Sequence, residues 1–272
     1  METIKPSPNS PIGIFDSGLG GLTVLKSLEK ILPNESFLYF GDTAHVPYGT
    51  KSAETVIRYS QHIMDFFQKH ETKAVVIACN TASAVAYQQL QQIYKIPLFD
   101  VVTPSVEYSI NITKSKKVGV VGTFSTIQSN AYTKMFKKLG SGCFVKEVPC
   151  PLFVPIIEEG WADTAIAKNI AETYLKEFQD CNIDTLILGC THYPIMANTI
   201  QDVLSKHIEL IYSGKTVGIK LKEYLKNQNC ENSSNTSQSV KYFVTDFPQK
   251  FDELGSRFLG RPLNNVTHIP IV

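Results

Sequence analysis

The fold of this chain is decided by Val75-Val-Ile-Ala-Cys-Asn-Thr81 and Leu186-Ile-Leu-Gly-Cys-Thr-His192. In each stretch an apolar run is followed by a cysteine and two residues that form hydrogen bonds. The two stretches lie 111 residues apart. Two other pairs of similar segments, which start at Ile12 and Val118 and at Ile96 and Ile208, occur in the same order at offsets of 106 and 112. Three pairs at nearly one offset indicate a duplicated unit.

The segments around these stretches predict an α/β fold. Short runs rich in Val, Ile and Phe are typical of strands in a parallel sheet that helices cover on both faces. We expect such strands at residues 12–15, 37–40, 74–78, 97–101, 117–121, 185–188 and 208–212. A helix is predicted to begin near Asp163 and to place Ile166, Ile170, Tyr174 and Phe178 on one face. Strand and helix alternation implies parallel sheets with right-handed crossovers.

Length and repeat together predict two similar domains with a cleft between them. At about 150 residues per domain, 272 residues correspond to two domains. We assign residues 1–103 and 214–272 to the first, discontinuous domain, and residues 104–213 to the second. The polar segment 227–239 is expected to be a flexible surface loop.

Composition excludes several classes of protein. The chain is 43% hydrophobic and 19% charged, with a net charge of +1, which is typical of a globular enzyme. This near-neutrality argues against broad electrostatic binding to nucleic acid or to a membrane surface. Apolar runs fall well short of eighteen residues, and the N-terminal segment has no apolar core of a secretory signal. We therefore expect a cytoplasmic protein.

Cys79 and Cys190 stand out among the six cysteines. No pair has Cys-x-x-Cys spacing, and most lone cysteines are simply small buried apolar residues. These two, however, occupy equivalent places after strands of the repeat, where open α/β sheets bind ligands. A helix is expected to begin beside each, which would favour the thiolate form. A zinc site with His192 lacks a fourth ligand at a recognisable spacing, and a redox disulfide between the two thiols is the other alternative.

Two loops could bind an anion near these thiols. Phe15-Asp-Ser-Gly-Leu-Gly-Gly21 follows the first strand, but Thr23 occupies the last glycine position of a dinucleotide fingerprint. Asp16 in this loop could accept a proton, bind an ammonium group or merely cap the next helix. Tyr39-Phe-Gly-Asp-Thr-Ala-His-Val-Pro-Tyr-Gly49 is a long turn-rich loop that could present backbone N–H groups to a carboxylate.

Two equivalent thiols that face one cleft suit racemisation. That reaction needs a base on one face of a carbon and an acid on the other, and the roles exchange with direction. Hydrogen bonds to a substrate carboxylate would stabilise the developing carbanion.

These motifs resemble those of the aspartate/glutamate racemase family, from about residue 11 to the end of the chain. The matching segments are 15–21, 41–49, 78–83 and 189–194, together with Pro151-Leu-Phe-Val-Pro-Ile-Ile-Glu158. Departures are Leu19, where many members carry Val, and the polar insert at 229–239. The resemblance implies cofactor-independent interconversion of L-glutamate and D-glutamate, which supplies D-glutamate for peptidoglycan. An aspartate racemase, with a pocket one methylene shorter, is the alternative within the family.

The resemblance also implies roles for individual residues. Cys79 and Cys190 would be the acid/base thiols, with Cys79 acting on the D-isomer and Cys190 on the L-isomer. Asp16 and His192 would assist them, with Asp16 also near the substrate ammonium. The two carboxylates would be bound by Ser17, Tyr48, Gly49, Asn80, Thr81 and Thr191, with a further contact from Thr123. Glu158 is a weaker candidate, because acidic residues at helix ends are usually solvated. No pyridoxal phosphate or metal is implied, and the resemblance allows a homodimer.

Overall fold

All seven predicted strands form, and three more join them in two sheets. The structure is a computed structural model that describes residues 7–233 and 239–270. The strands are β1 Ile12–Asp16, β2 Phe37–Gly41, β3 Ala74–Ile77, β4 Leu98–Asp100, β5 Lys117–Gly122, β6 Phe144–Pro149, β7 Thr185–Gly189, β8 Glu209–Tyr212, β9 Val240–Val244 and β10 Val266–His268. Residues of β1, β2, β3 and β7 are buried throughout, as expected for strands covered on both faces.

Twelve α-helices connect and cover these strands in the described ranges. They are α1 Leu22–Ile31, α2 Ala53–Lys69, α3 Asn80–Val85, α4 Tyr87–Ile93, α5 Val102–Ile112, α6 Phe124–Gln128, α7 Ala131–Lys138, α8 Phe153–Glu158, α9 Ala165–Leu175, α10 Ala197–Val203, α11 Ser213–Asn227 and α12 Pro248–Leu259. Short 3₁₀ turns form at Thr43–His45, Tyr48–Thr50, Lys176–Phe178 and Tyr193–Met196. Within residues 7–233 and 239–270, none of the helices combines the length and the apolar character needed to cross a membrane.

The topology repeats the duplication seen in the sequence. One sheet has the strand order β10-β9-β2-β1-β3-β4 and the other β6-β5-β7-β8. The order β2-β1-β3-β4 therefore matches β6-β5-β7-β8, and every strand pair is parallel. Strands β3 and β7, after which Cys79 and Cys190 lie, occupy equivalent positions beside β1 and β5. One cluster of buried apolar side chains extends over both sheets, so the two halves share part of their core.

Two local expectations were wrong, and the edge strand β6 was not predicted. Strand β6 was missed because the exposed or half-buried residues of this edge strand break the apolar pattern. Helix α9 forms, but Thr164 caps it by accepting the Ala167 N–H, and Ala167, Ala171 and Leu175 are its buried residues. Ile166 is instead 52% exposed. The segment 227–239 is also not a simple surface loop, because Cys230 and Asn232 are buried; residues 234–238 lie outside the described ranges.

A buried ion pair explains the burial of that segment. Lys73 has no exposed surface, and its Nζ lies 2.5 Å from Glu35 Oε2. The same ammonium donates to the carbonyl oxygens of Pro8 at 2.6 Å and Cys230 at 2.8 Å. Glu35 Oε1 accepts the Asn232 N–H at 2.9 Å. Charge-assisted hydrogen bonds thus tie the segments around Pro8 and Cys230 to the body of the protein.

Candidate active site

The carboxyl ends of the central strands surround a small cavity between the two sheets. Its volume is about 160 Å³. Nearly every predicted site residue lines it: Ser17, Tyr48, Gly49, Cys79, Asn80, Thr81, Thr123, Cys190, Thr191 and His192. Asp16, the remaining predicted residue, is fully buried and lies behind the lining residues Ser17 and Gly18. The fold therefore brings residues of both halves to one site, as expected at the carboxyl edge of parallel strands.

Cys79 forms the N-terminal cap of α3 and is nearly buried. Its Sγ lies 3.8 Å from the Ser17 hydroxyl. Burial raises the pKa of Cys79 to about 12, with a further contribution from the charge of Asp16. The hydrogen bonds that Cys79 makes with the Ala82 N–H and with the Ser17 hydroxyl offset this only in part. The expected stabilisation of a thiolate by the helix start is therefore wrong for this residue. Helix α3 has only six residues, and its N-terminus does not compensate for desolvation and a nearby carboxyl group.

Cys190 has a different environment, because His192 lies beside it. The Cys190 Sγ and His192 Nδ1 are 4.0 Å apart, and His192 Nε2 lies 3.0 Å from Glu158 Oε1. Burial lowers the pKa of His192, but its contacts with Cys190 and Glu158 outweigh burial and raise it to about 10. The raised pKa favours the imidazolium form of His192, and a cation beside a thiol favours its thiolate. Phe258 packs edge-on against the imidazole ring.

Asp16 connects the two halves behind the cavity. Its Oδ2 accepts the Gly18 N–H at 2.9 Å, and its Oδ1 accepts the Thr191 hydroxyl at 3.3 Å. Burial raises the pKa of Asp16, and this effect exceeds the opposing influence of the His192 charge and the hydrogen bonds. Gly21 occupies the N-cap position of α1, and its N–H contributes a hydrogen bond to the Asp16 carboxyl group. A carboxyl group with a raised pKa close to both thiol loops is suited to exchange protons.

The Tyr48 loop is held by an aspartate that sequence reasoning did not single out. Tyr48 donates to Asp42 Oδ2 at 2.5 Å, and Asp42 Oδ1 accepts from His45 at 2.8 Å and Thr245 at 2.9 Å. Burial, and then the Asp42 charge, raise the pKa of Tyr48, so its hydroxyl stays protonated. Asp16 ends β1 and Asp42 directly follows β2, and these similar positions were the available signal.

Three threonine hydroxyls meet across the other side of the cavity. Thr81 and Thr123 lie 3.0 Å apart, and each is within 3.1 Å of Thr126. Gly49 lies against Thr123, where an added Cβ would come within 2.8 Å of the threonine Cβ. The cavity therefore has a wall of hydroxyl and backbone groups suited to bind carboxylates.

The two halves approach each other closely at Gly20. A Cβ added there would lie 2.2 Å from Thr191 Oγ1 and 2.4 Å from His192 Nδ1. Thr23, one turn along, donates to the Thr191 carbonyl oxygen at 2.7 Å. Glycine is thus required at position 20 because of the close approach of the Cys190 loop.

A family model for Asp/Glu/Hydantoin racemases matches residues 12–217. The chain belongs to this racemase family. It is therefore an isomerase, and the racemase fold explains the two matching sheets described above. The family match also covers every cavity-lining residue predicted from the sequence.

Individual members are similar over nearly the whole chain. Glutamate racemase of Geobacter metallireducens is 44% identical over 264 residues, covering 97% of this chain and 98% of that protein. The solved structure of the Francisella tularensis glutamate racemase in complex with D-glutamate superposes with a TM-score of 0.90 at 41% identity, covering 96% and 98% of the two chains. The Picrophilus torridus aspartate racemase shares the fold, with a TM-score of 0.58 at 16% identity and coverage of 82% and 99%.

Glu158 lies in the site, although the sequence indicated this only weakly. It ends α8 and lines the cavity, yet its carboxylate contacts His192 instead of pointing wholly into solvent. The hydrogen bond and charge of His192 lower the pKa of Glu158 despite the opposing effect of burial. In the described part of the chain, no group of three His, Cys, Asp or Glu residues could hold a metal ion, and the six cysteines are free.

Proposed function

We propose that this racemase interconverts L-glutamate and D-glutamate by transferring the α-proton between Cys79 and Cys190. The observation that carries the proposal is the placement of these thiols, one from each half of the duplicated fold, on one cavity lined by hydroxyl groups. Thiols from opposite halves are suited to act on opposite faces of the α-carbon, as racemisation requires.

The different environments of the two thiols suggest a resting state. Cys79 is held as a thiol by burial and by Asp16, and His192 places a positive charge near the Cys190 sulfur. In one direction, a Cys190 thiolate removes the α-proton, and the Cys79 thiol donates its proton to the opposite face of the carbanion. The reverse direction needs a Cys79 thiolate and a Cys190 thiol. Asp16 is the neighbouring acceptor for the Cys79 proton, and His192 is the neighbouring donor of a proton to Cys190.

The remaining predicted residues would bind the substrate. We assign the carboxylates to the hydroxyl and N–H groups around Ser17, Tyr48, Gly49, Asn80, Thr81, Thr123 and Thr191. Hydrogen bonds to the α-carboxylate stabilise the carbanion as charge develops. We place Asp16 near the substrate ammonium. These residues can perform the transfer without a cofactor, because the protein itself supplies the proton acceptor, the proton donor and the anion-binding groups.

Four further assignments belong to the proposal. The domains would comprise residues 1–103 with 214–272, and residues 104–213, so that the boundaries fall within α5 and at the start of α11. The chain would act in the cytoplasm, where acid/base thiols stay reduced, and would supply D-glutamate for peptidoglycan. The homodimer that the family resemblance allows stays a prediction.

The test is a circular-dichroism assay of L- and D-glutamate with no added cofactor, with L- and D-aspartate as the comparison. Glutamate is expected to racemise faster than aspartate. Cys79→Ala and Cys190→Ala should abolish turnover, whereas Cys143→Ala, which removes a thiol elsewhere in the protein, should keep it. Turnover near the wild-type rate in either of the first two variants would contradict the two-thiol mechanism.

Proton exchange in deuterium oxide tests the same mechanism independently. A donor thiol that has equilibrated with solvent puts deuterium on the product, while unreacted substrate keeps its hydrogen. Mass spectrometry of both enantiomers at low conversion measures this. Substantial retention of the original hydrogen in early product would indicate a single shared base.

A further inference from the structure

Tyr132 is a fully buried residue of α7 that reaches the loop of Cys79 from the other half of the fold. Its hydroxyl oxygen accepts a hydrogen bond from Asn80 Nδ2 at 2.8 Å. Asn80 directly follows Cys79 and begins α3. Tyr132 itself has no exposed surface and is not among the residues that line the cavity.

The hydrogen bonds around Asn80 fix the orientation of its amide group. The Ser213 hydroxyl donates to the Leu188 carbonyl at 3.3 Å, so its oxygen is left to accept from Asn80 Nδ2, also at 3.3 Å. The Asn80 nitrogen therefore faces Ser213 and Tyr132. The amide oxygen is buried and has no hydrogen-bond partner in the described residues, so this side chain is held through its nitrogen.

The same tyrosine ring lies against the strand that carries the second thiol. A Cβ added to Gly189 would lie 3.2 Å from Tyr132 Cε2 and 3.3 Å from its hydroxyl oxygen. Gly189 ends β7 and directly precedes Cys190. Tyr132 is thus hydrogen-bonded to the residue after one thiol and lies beside the residue before the other.

We propose that Tyr132 is a positioning residue for proton transfer, which fixes Cys79 relative to Cys190 through Asn80 on one side and Gly189 on the other. The inference rests on the proposed two-thiol racemisation. Such a reaction is sensitive to the placement of both sulfur atoms around one α-carbon. Tyr132 does not touch the substrate and acts only through these neighbours.

The first experiment is Tyr132→Phe, which keeps the ring against Gly189 and removes the hydroxyl. We expect kcat to fall about tenfold, the effect of one well-placed hydrogen bond, with KM within about threefold of wild type. A purely structural role would lower the melting temperature without this change in kcat. Enantiomers have equal free energies, so kcat/KM must fall by the same factor in both directions, which checks the data internally.

Tyr87→Phe is the matched control. The Tyr87 hydroxyl also accepts from a side-chain amide, Gln91 Nε2 at 2.7 Å, but it lies on α4 away from the cavity lining. This variant should keep wild-type kcat and KM.

A double-mutant cycle shows whether Tyr132 acts through Asn80. If it does, Tyr132→Phe should cost almost nothing further in an Asn80→Ala background. Additive losses, or an unchanged kcat in Tyr132→Phe, would overturn the positioning role. A wild-type chain that fails to racemise glutamate would refute the proposed function itself, whereas an active wild type with an additive cycle refutes only this inference.

Discussion

The close approach at Gly20 predicts that one methyl group would stop turnover. An added Cβ would lie 2.2 Å from Thr191 Oγ1 and 2.4 Å from His192 Nδ1, well inside the 3.0 Å that real Cβ atoms keep. Gly20 does not have a positive φ, so the backbone itself accepts alanine. To restore a separation of 3.0 Å from 2.2 Å, the Cys190 loop would have to retreat by about 0.8 Å. Because a shift of about 1 Å can cost about a hundredfold in rate, we expect a loss of about that size in Gly20→Ala.

The assay is the initial rate of racemisation in both directions, together with thermal unfolding. Gly218→Ala is the matched control, because its added Cβ would meet only the flexible Cδ1 of Ile31, at 2.6 Å, and the end of Leu28. Gly218 lies in helix α11, where alanine is favoured over glycine by about 1 kcal/mol, so this variant should fold and turn over normally. Wild-type kcat in Gly20→Ala would refute the idea that the two halves are pressed together here during catalysis.

Two further predictions concern charge. Glu158→Gln removes the carboxylate partner of His192 and should lower the pKa of His192 from its value of about 10. If turnover needs the protonated imidazole, activity is lost at high pH as His192 loses its proton. The alkaline limb of the pH–activity profile should therefore move to lower pH. An unmoved limb would show that His192 ionisation does not control turnover. Lys73→Met leaves the buried Glu35 carboxylate unpaired and should lower the free energy of unfolding by about 3–5 kcal/mol in chemical denaturation. Lys220→Met, which removes an exposed ion pair, should cost at most about 1 kcal/mol, and an equal loss in both variants would contradict the role of burial.

The elements that sequence reasoning recovered are those whose signal is local. Buried strands such as β3 and β7 are continuous apolar runs, and a repeat at a constant offset placed Cys79 and Cys190 at equivalent strand ends. Strand β6 was not predicted because an edge strand has residues exposed on more than one side. Apolar and polar residues are therefore mixed along it, and no continuous apolar run marks the strand.

The properties of the site that could not be predicted from the sequence depend on groups that only the tertiary structure brings together. The raised pKa of Cys79 results from burial and from Asp16, and neither effect follows from a helix start alone. Likewise, the contact between Glu158 and His192 requires α8 to lie over the Cys190 loop. A helix-end glutamate in an isolated sequence offers no sign of such a partner, which is why solvation was the natural expectation.

The strand order has a consequence for synthesis on the ribosome. All strands of the four-stranded sheet lie within residues 117–212, so this sheet can close while the rest of the chain is still being made. Strand β2 instead pairs along its whole length with β9, Phe37 opposite Val240. The edge of β2, which is translated early, therefore stays unpaired until β9, near the end of the chain, has been synthesised. A chain that terminates before β9 would leave the β2 edge exposed, and an exposed strand edge can pair with other chains and promote aggregation.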